Sequence, residues 1–529
     1  MAAKKPRTAA SPPRRARARE RADRTGASDS APSPRLQRDR AAPTVYGVFF
    51  LLLVLACSPA LDSKFALPKA MVLAAGVLAL GVLLLVRNSR GGCSAPSRPA
   101  LLLSLALGAW WMISTPFALH LATALDGVYD YYNGLWTHLC WLALFIVSLA
   151  IPSDLPTARR IAALLAGAVV PVALVNVAEA SGLSSFGLAD VSTLGDRVGA
   201  SALMNFAIPF GAIALVRARH RGVKAGLVLV LGLLLISELL SQGRGAWVGL
   251  AAAAVILAAG LIRSRAGWNV AGAMLLGMLV LAGVAAKLSP VVAERFATLT
   301  NISRDESLRQ RLMYQQAALR AVGDHPLAGI GFENFRNAYP GYRSADDVNF
   351  FDNNVIPTMV HNGYLEAALN NGIPALLLYL ALVTLALVKL VRELARAQDR
   401  DRRDLLLGFL AALGAYLVQD LFGWLDMALT SAFWVTLGLA LNLAGQKTPG
   451  SMAARPSALI GALAVSMILL SLFLLGDRYE RLAADARLYQ ARLLDVDRQW
   501  PPAEPLINKA LQSLPGDSPS FSTGRGWRR

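Results

Sequence analysis

Three side chains could act on a charged substrate: Arg244, Arg311 and His361. Arg244 lies in Ser-Gln-Gly-Arg-Gly-Ala-Trp between two apolar runs, where a guanidinium is costly unless it is paired or functional. Arg311 lies in a polar segment with helical spacing, and His361 opens His-Asn-Gly-Tyr-Leu-Glu. A histidine can be neutral at pH 7 and accept a proton. Taken singly, each residue also has a structural interpretation: a membrane anchor, a solvated helix face and a helix-capping histidine.

The glycines beside Arg244 favour a special backbone there. Gly243 and Gly245 would allow a tight turn and the close approach of a ligand. A second glycine-rich stretch, residues 324–335, lacks the Lys-Ser/Thr pair of a phosphate-binding loop and reads as a structured turn. Asp346, Asp347 and Asp352 lack the ordered spacing of a metal site. We therefore expect no metal and no cofactor.

The elements that must position these residues are membrane helices. Of the 529 residues, 55% are hydrophobic and 16% are charged, and the mean hydropathy is +0.47. The apolar residues form runs of about 20, the length of a membrane-crossing helix, without the alternation of a barrel strand. We predict an all-α, polytopic transmembrane helical bundle of about 12–13 spans. The candidate spans are 44–61, 67–86, 100–119, 135–151, 160–180, 200–216, 223–241, 246–262, 268–287, 364–388, 405–422, 428–445 and 457–475.

The charge pattern predicts the orientation. The net charge is +18, and much of the excess lies in the first 40 residues and in short alternating loops. This is the positive-inside pattern of a membrane protein and not the footprint of a nucleic-acid binder. Residues 1–43 are therefore expected to form a disordered, basic cytoplasmic tail near the membrane lipid.

The remaining chain divides around one long insertion. Residues 44–287 and 364–476 are expected to be transmembrane helices, and 477–529 an extramembrane helical tail. Residues 288–363 form a predicted periplasmic loop between spans nine and ten, and loops of this length usually have a function. Helical spacing of Leu308, Leu312, Leu319 and Val322 predicts a helix there that lies on the membrane surface.

The motifs are more specific together than singly. Ser-x-Gly-Arg-Gly-Ala-Trp is followed by Arg-x-x-Met-Tyr, by His-Pro-Leu-x-Gly-x-Gly-x-x-Asn-Phe, by His-Asn-x-Tyr-Leu-Glu and by Asn-Gly-Ile-Pro. In this order, across residues 195–385, the chain resembles the O-antigen ligase and polymerase superfamily. Members of that family move a glycan from an undecaprenyl-diphosphate carrier at the periplasmic face of the bacterial inner membrane.

The resemblance implies roles for individual residues. The family's short-turn arginine matches Arg244, its loop-closing histidine matches His361, and its loop arginine matches Arg311, with Arg309 as a rival. The arginines would bind the diphosphate leaving group, and the histidine would take the proton of the acceptor hydroxyl. The further substrate-binding candidates from the same motifs are Arg309, Trp247, Asn362 and Tyr364.

The resemblance leaves the acceptor open. A ligase would transfer the glycan to lipid A core, whereas relatives polymerise O-antigen or exopolysaccharide, or glycosylate protein hydroxyls. A relative named for bicarbonate uptake makes a solute transporter an alternative, although the distinctive residues cluster at one face and not at mid-depth. A non-catalytic scaffold of an envelope-assembly complex is the third possibility.

Overall fold

The computed structural model describes residues 40–94, 96–151, 154–183, 192–261, 306–350, 356–446 and 456–496, with isolated positions at 272, 276–277, 283, 287, 505–506 and 509. Every regular element in these ranges is helical, which confirms the predicted all-α class. The predicted basic tail lies outside the described residues, except for its last four positions.

Sixteen α-helices make up this part of the chain. They are α1 (Ala41–Leu55), α2 (Ala66–Ser89), α3 (Arg98–Ser114), α4 (Leu121–Asp126), α5 (Leu135–Ala150), α6 (Leu155–Ala180), α7 (Arg197–Arg217), α8 (Arg221–Leu240), α9 (Arg244–Leu261), α10 (Glu306–Asp324), α11 (Phe335–Tyr342), α12 (Ala345–Phe350), α13 (Gly363–Arg396), α14 (Arg400–Gln419), α15 (Met427–Gly445) and α16 (Ala458–Val496).

The described helices form a membrane bundle. Nine of them are long and apolar enough to cross a membrane, and α1 and α5 are apolar but shorter. Each predicted span except the ninth falls on one of the described helices; the ninth, 268–287, lies outside them. Helix α15 is apolar all round and is buried along its length, as expected of a helix at the centre of a bundle.

Several loops meet at one end of the bundle, which we call the site end: residues 56–65, 118–134, 192–196 and 420–426. Two hydrogen bonds hold them across the bundle. Thr193 Oγ1 donates to Val54 O, in the last turn of α1, over 2.7 Å, and Asn133 Nδ2 donates to Leu425 O over 2.8 Å. These are loops that the charge pattern assigns to the outside.

The opposite end contains the basic loops. Arg217 Nε lies 2.5 Å from Asp404 Oδ2, and Asn88 Nδ2 donates to Ser457 O over 2.9 Å. The separation of acidic and basic loops agrees with the positive-inside pattern, although the orientation itself remains a prediction.

The insertion before α13 contains α10, α11 and α12. Helix α10 forms where helical spacing predicted it, but its packed face carries alanines as well as larger side chains: Met313, Tyr314, Ala317, Ala318 and Ala321. Leu312 and Leu319 from the predicted apolar face are 50% and 59% exposed. That α10 lies on the membrane surface remains a prediction.

The glycine-rich turn at residues 324–335 is joined by backbone hydrogen bonds to a break in α13. Asn371 and Gly372 leave helical geometry, with Gly372 at φ +80°. The amide of Ile330 donates to Leu369 O and that of Ile373 to Pro326 O, both over 2.8 Å. A Cβ on Gly372 would meet Leu327 O at 1.8 Å, so the break needs glycine. The insertion is thereby fixed to α13.

Candidate functional site

A short segment between α14 and α15, residues 420–426, lies at the centre of the site end; we call it the central segment. Its first residue, Asp420, accepts a hydrogen bond from the amide of Gly363 through its backbone oxygen over 2.9 Å. Its last residue, Asp426, caps α15 by accepting from the amide of Leu429 over 2.8 Å. The segment is therefore held at both ends.

Arg311 contacts the central segment, and Arg309 lies elsewhere. The half-buried Arg311 donates from Nη1 to Phe422 O over 3.3 Å. The exposed Arg309 places its guanidinium 4.4 Å from the centre of the Phe350 ring. Two residues along a helix correspond to about 200°, so the pair points in different directions.

His361 contacts the same segment at Trp424. Its ring is 5.1 Å from that of Trp424 in an edge-on contact and 6.4 Å from that of Tyr314 in a stacked contact. Its φ of +58° is the left-handed conformation, which is uncommon outside glycine. Its Nδ1 is buried, and none of the described residues forms a hydrogen bond with it.

This environment keeps His361 neutral. Burial, and to a smaller extent the positive charge of Arg311, lower its pKa to about 4. The ring is consequently unprotonated at pH 7 and can accept a proton. The expected helix cap is provided by Asn362, whose Oδ1 accepts from the amide of Leu365 over 3.1 Å. His361 is thus not the residue that caps α13.

The start of α9, where Arg244 is the first residue, lies against the central segment. Arg244 is half-buried, and a Cβ on the next residue, Gly245, would lie 3.1 Å from Phe422 Cβ. The tight turn before it has a different cause from the expected one: Gln242 has the positive φ, +56°. Gly243 instead allows close packing, because a Cβ there would lie 2.9 Å from Ser201 Cβ.

Three segments distant in sequence therefore meet on residues 420–426. Arg311 contacts Phe422 O, His361 contacts the Trp424 ring, and the helix that begins with Arg244 packs on Phe422 Cβ. Sequence reasoning missed the central segment. The available signal was Gly-Trp-x-Asp in a short gap between two apolar runs.

The other candidates from the sequence have structural contacts. Trp247 is buried and its Nε1 lies 3.4 Å from Glu238 O, which packs α9 on α8. Tyr364 donates to Leu417 O over 2.8 Å. Asn362 caps α13. Their roles in binding substrate remain predictions.

A carboxylate missed by sequence reasoning lies near Arg311. Asp196 caps α7 by accepting from the amide of Gly199. The pKa of Asp196 is raised to about 7, mainly by burial and also by the negative charge of neighbouring Asp426. Hydrogen bonds from backbone amides and the positive charge of Arg311 act in the opposite direction. The charge of Asp196 near Arg311 thus changes around neutral pH.

The acidic residues of the insertion do not gather into a metal site within the described ranges, where no cluster of three or more ligating side chains occurs. Asp347 is buried and accepts from the hydroxyl of Tyr339 over 2.5 Å. Asp352 lies outside the described residues.

Comparison with known families agrees with this geometry. The family model described as O-Antigen ligase matches residues 229–380. This match confirms the predicted resemblance to the O-antigen ligase superfamily. The match includes Arg244, Arg311 and His361 and ends before the central segment. No curated protein matches the chain. Nine helices in the described part of the chain are long and apolar enough to cross a membrane, so the protein is a multi-pass membrane protein, and the match supports a function of O-antigen ligase or polymerase type.

Proposed function

We propose that the protein transfers a glycan from a polyprenyl-diphosphate carrier to a hydroxyl acceptor at the outer face of the bacterial inner membrane. The donor is undecaprenyl-diphosphate-linked glycan, and the acceptor is lipid A core. One observation carries the proposal: Arg311 and a neutral His361 contact the same seven-residue segment, beside the helix that begins with Arg244.

The arginines suit the leaving group. A diphosphate gains negative charge as the anomeric C–O bond breaks, and guanidinium groups stabilise such charge through paired hydrogen bonds. Arg311 donates to Phe422 O over 3.3 Å, which places an arginine beside the central segment where the diphosphate would bind. The positive end of the α9 dipole adds to the charge of Arg244.

The transfer itself is a displacement. The acceptor oxygen forms a bond to the anomeric carbon, a ring nitrogen of His361 takes the hydroxyl proton, and the C–O bond to phosphate breaks. Polyprenyl diphosphate leaves with the electron pair of that bond. The proton then passes from His361 to the solvent or to the departing diphosphate. A histidine with a pKa of about 4 is a weak base, so the acceptor proton is transferred late, as the C–O bond breaks.

The test is genetic complementation with glycan analysis. A deletion strain is complemented with wild type, Arg244→Ala, Arg311→Ala or His361→Ala, and lipopolysaccharide is examined by silver staining and lectin blotting. We expect polymer to disappear from lipid A core and lipid-linked polymer to accumulate, with no rescue by the three variants. Arg309→Ala is the matched control, since its guanidinium lies on Phe350.

The other outcomes separate the alternatives. A ladder reduced to single repeats would make the protein a polymerase, and a loss confined to glycoproteins would make it a protein glycosyltransferase. Unchanged glycans in the deletion strain would contradict transfer altogether and turn attention to solute uptake. Full rescue by His361→Ala would remove the proposed base.

A further inference from the structure

The second half of α16 is fastened to the site end by buried charges. Arg481 Nη2 lies 2.9 Å from Asp126 Oδ2, and its Nε lies 2.9 Å from Asp477 Oδ2. Arg478, only 2% exposed, lies 3.8 Å from Asp126 Oδ1 and 5.0 Å from the centre of the Tyr132 ring. Helix α16 thereby holds the segment formed by residues 118–134.

A second contact from α16 fixes the neighbouring loop. The carboxylate of Asp485 accepts from the amide of Asp62 over 2.8 Å and from that of Ser63 over 3.1 Å. It also accepts from the hydroxyl of Tyr129. One acidic side chain thus joins residues 56–65 and 118–134, in addition to the pairs made by Arg481.

Segment 118–134 is in turn joined to the candidate site. Asn133 is 3% exposed, and its Nδ2 donates to Leu425 O over 2.8 Å. Leu425 follows Trp424, whose ring edge contacts His361. The same segment is also held from the insertion, since Val128 donates to the Glu333 carboxylate.

The energetics favour a positioning role over simple stabilisation. Buried ion pairs add little net stability because desolvation offsets their attraction, and their best-attested use is to specify one arrangement. A buried carbonyl that loses its donor costs about 1–3 kcal/mol, so the Asn133–Leu425 bond strongly favours one position of the central segment.

We propose that Asn133 is a positioning residue for the glycan-transfer site, held in place by the contacts of α16 to residues 118–134 and acting through Leu425 on the Trp424–His361 contact. This inference rests on the proposed function for its consequence in catalysis. Its structural part stands on the contacts alone, so the two can be tested apart.

The test measures the titration of His361 without substrate. Full-length protein in lipid nanodiscs is labelled with diethylpyrocarbonate across pH 4–8, and the peptide containing His361 is quantified by mass spectrometry. The charged and titratable groups that face His361 are Arg311 and Tyr314 from α10; Trp424 faces it from the central segment. In Asn133→Ala we expect the labelling midpoint to rise by about one pH unit or more, toward that of a solvated histidine.

The matched control is Asn442→Ala. Asn442 is also a buried asparagine that donates to a backbone oxygen, Leu149 O at 2.7 Å, but at the opposite end of the bundle. It should lower thermal stability by a similar amount and leave the His361 midpoint unchanged. Glycan transfer should fall at least about tenfold in Asn133→Ala, mainly in kcat, because His361 is displaced while the arginines that bind the donor remain.

A second pair of variants covers the case in which Asn133→Ala does not accumulate. Arg481→Gln should raise the His361 midpoint, and Arg481→Lys, which keeps the charge against Asp126, should restore it. A wild-type midpoint in both Asn133→Ala and Arg481→Gln would overturn the proposal. If the midpoint shifts but wild-type protein transfers no glycan, the proposed function fails and the positioning network stands.

Discussion

Arg311 Nη1 lies 3.3 Å from the carbonyl oxygen of Phe422, so the insertion and the central segment are joined through an arginine that we propose to bind the diphosphate. Because a backbone oxygen accepts only part of what a guanidinium can donate, the contact orients Arg311 without neutralising its charge. The same charge acts on His361, whose pKa it lowers. Under the proposed function, one arginine would therefore act on both the leaving group and the base.

Removing this charge should raise the pKa of His361. In Arg311→Gln the burial of the ring remains but the repulsion between two cations is lost, so the labelling midpoint of His361 should move up from about 4. Diethylpyrocarbonate labelling of the substrate-free protein measures it. Arg309→Gln, with its guanidinium on Phe350, should leave the midpoint where it is. Equal midpoints in the two variants would contradict the assignment.

Adding a side chain at Gly363 should destabilise the site end. A Cβ there would lie 2.3 Å from an oxygen of the Asp420 carboxylate, which is 4% exposed and has little room to move. We expect Gly363→Ala to lower the free energy of unfolding by about 1–3 kcal/mol. Thermal unfolding in nanodiscs would show it.

The control for that substitution is another helical glycine. Gly232 in α8 has no atom within 4 Å of the added Cβ among the described residues, so Gly232→Ala should be neutral or gain up to about 1 kcal/mol from helix propensity. A loss in Gly232→Ala as large as in Gly363→Ala would show that the cost comes from the backbone and not from Asp420.

The helices could be predicted from sequence for physical reasons. Apolar runs of membrane length have few alternatives to a helix, because unpaired backbone groups are too costly in lipid. Arg244 and Arg311 are charged residues in motifs next to apolar runs, so they could be singled out from the sequence as candidates. That Arg309 lies on Phe350 and Arg311 on Phe422 depends on tertiary packing, so it could not be predicted from the sequence.

The central segment could not be predicted because its contacts use the backbone. The carbonyl oxygens of Asp420, Phe422 and Leu425 accept the bonds that join the site, and a carbonyl has no sequence signature. The packed face of α10 was also not predicted: Ala317 and Ala318 are fully buried there, while the more hydrophobic Leu319 is exposed. Small residues allow close approach, which a hydrophobicity pattern does not record.

Glu333 should make stability depend on pH. Burial raises its pKa to about 7 from 4.5, so the folded state binds more protons between these values and stability falls as pH rises through that range. The shift corresponds to on the order of 3 kcal/mol. Glu333→Gln keeps an acceptor for Val128 and should flatten the decline in Tm between pH 4.5 and 7.

The matched control for Glu333 is Glu393→Gln at the opposite end, where the carboxylate lies 3.8 Å from Arg402. That variant should retain the wild-type slope. The prediction is wrong if the slope in Glu333→Gln equals that of the wild type, which would assign the pH dependence to the other carboxyls of the site end.

Asp196 should make donor binding depend on pH near neutrality. Its carboxyl, with a pKa of about 7, gains a negative charge near Arg311 as pH rises, and that charge competes with an anionic diphosphate. We expect the wild-type KM for the lipid-linked donor to rise roughly fivefold from pH 6 to 8, equivalent to about 1 kcal/mol. Steady-state kinetics at fixed acceptor concentration would measure it.

Asp196→Asn separates this charge from the capping role of the residue. Asparagine caps a helix about as well as aspartate, so α7 should remain intact while KM becomes low and independent of pH. Asp154→Asn is the control, because Asp154 caps α6 at the opposite end by accepting from the amide of Thr157 over 2.7 Å. If Asp196→Asn keeps the wild-type rise in KM, the charge that limits donor binding lies elsewhere; if Asp154→Asn also abolishes it, the effect comes from the bundle and not from Arg311.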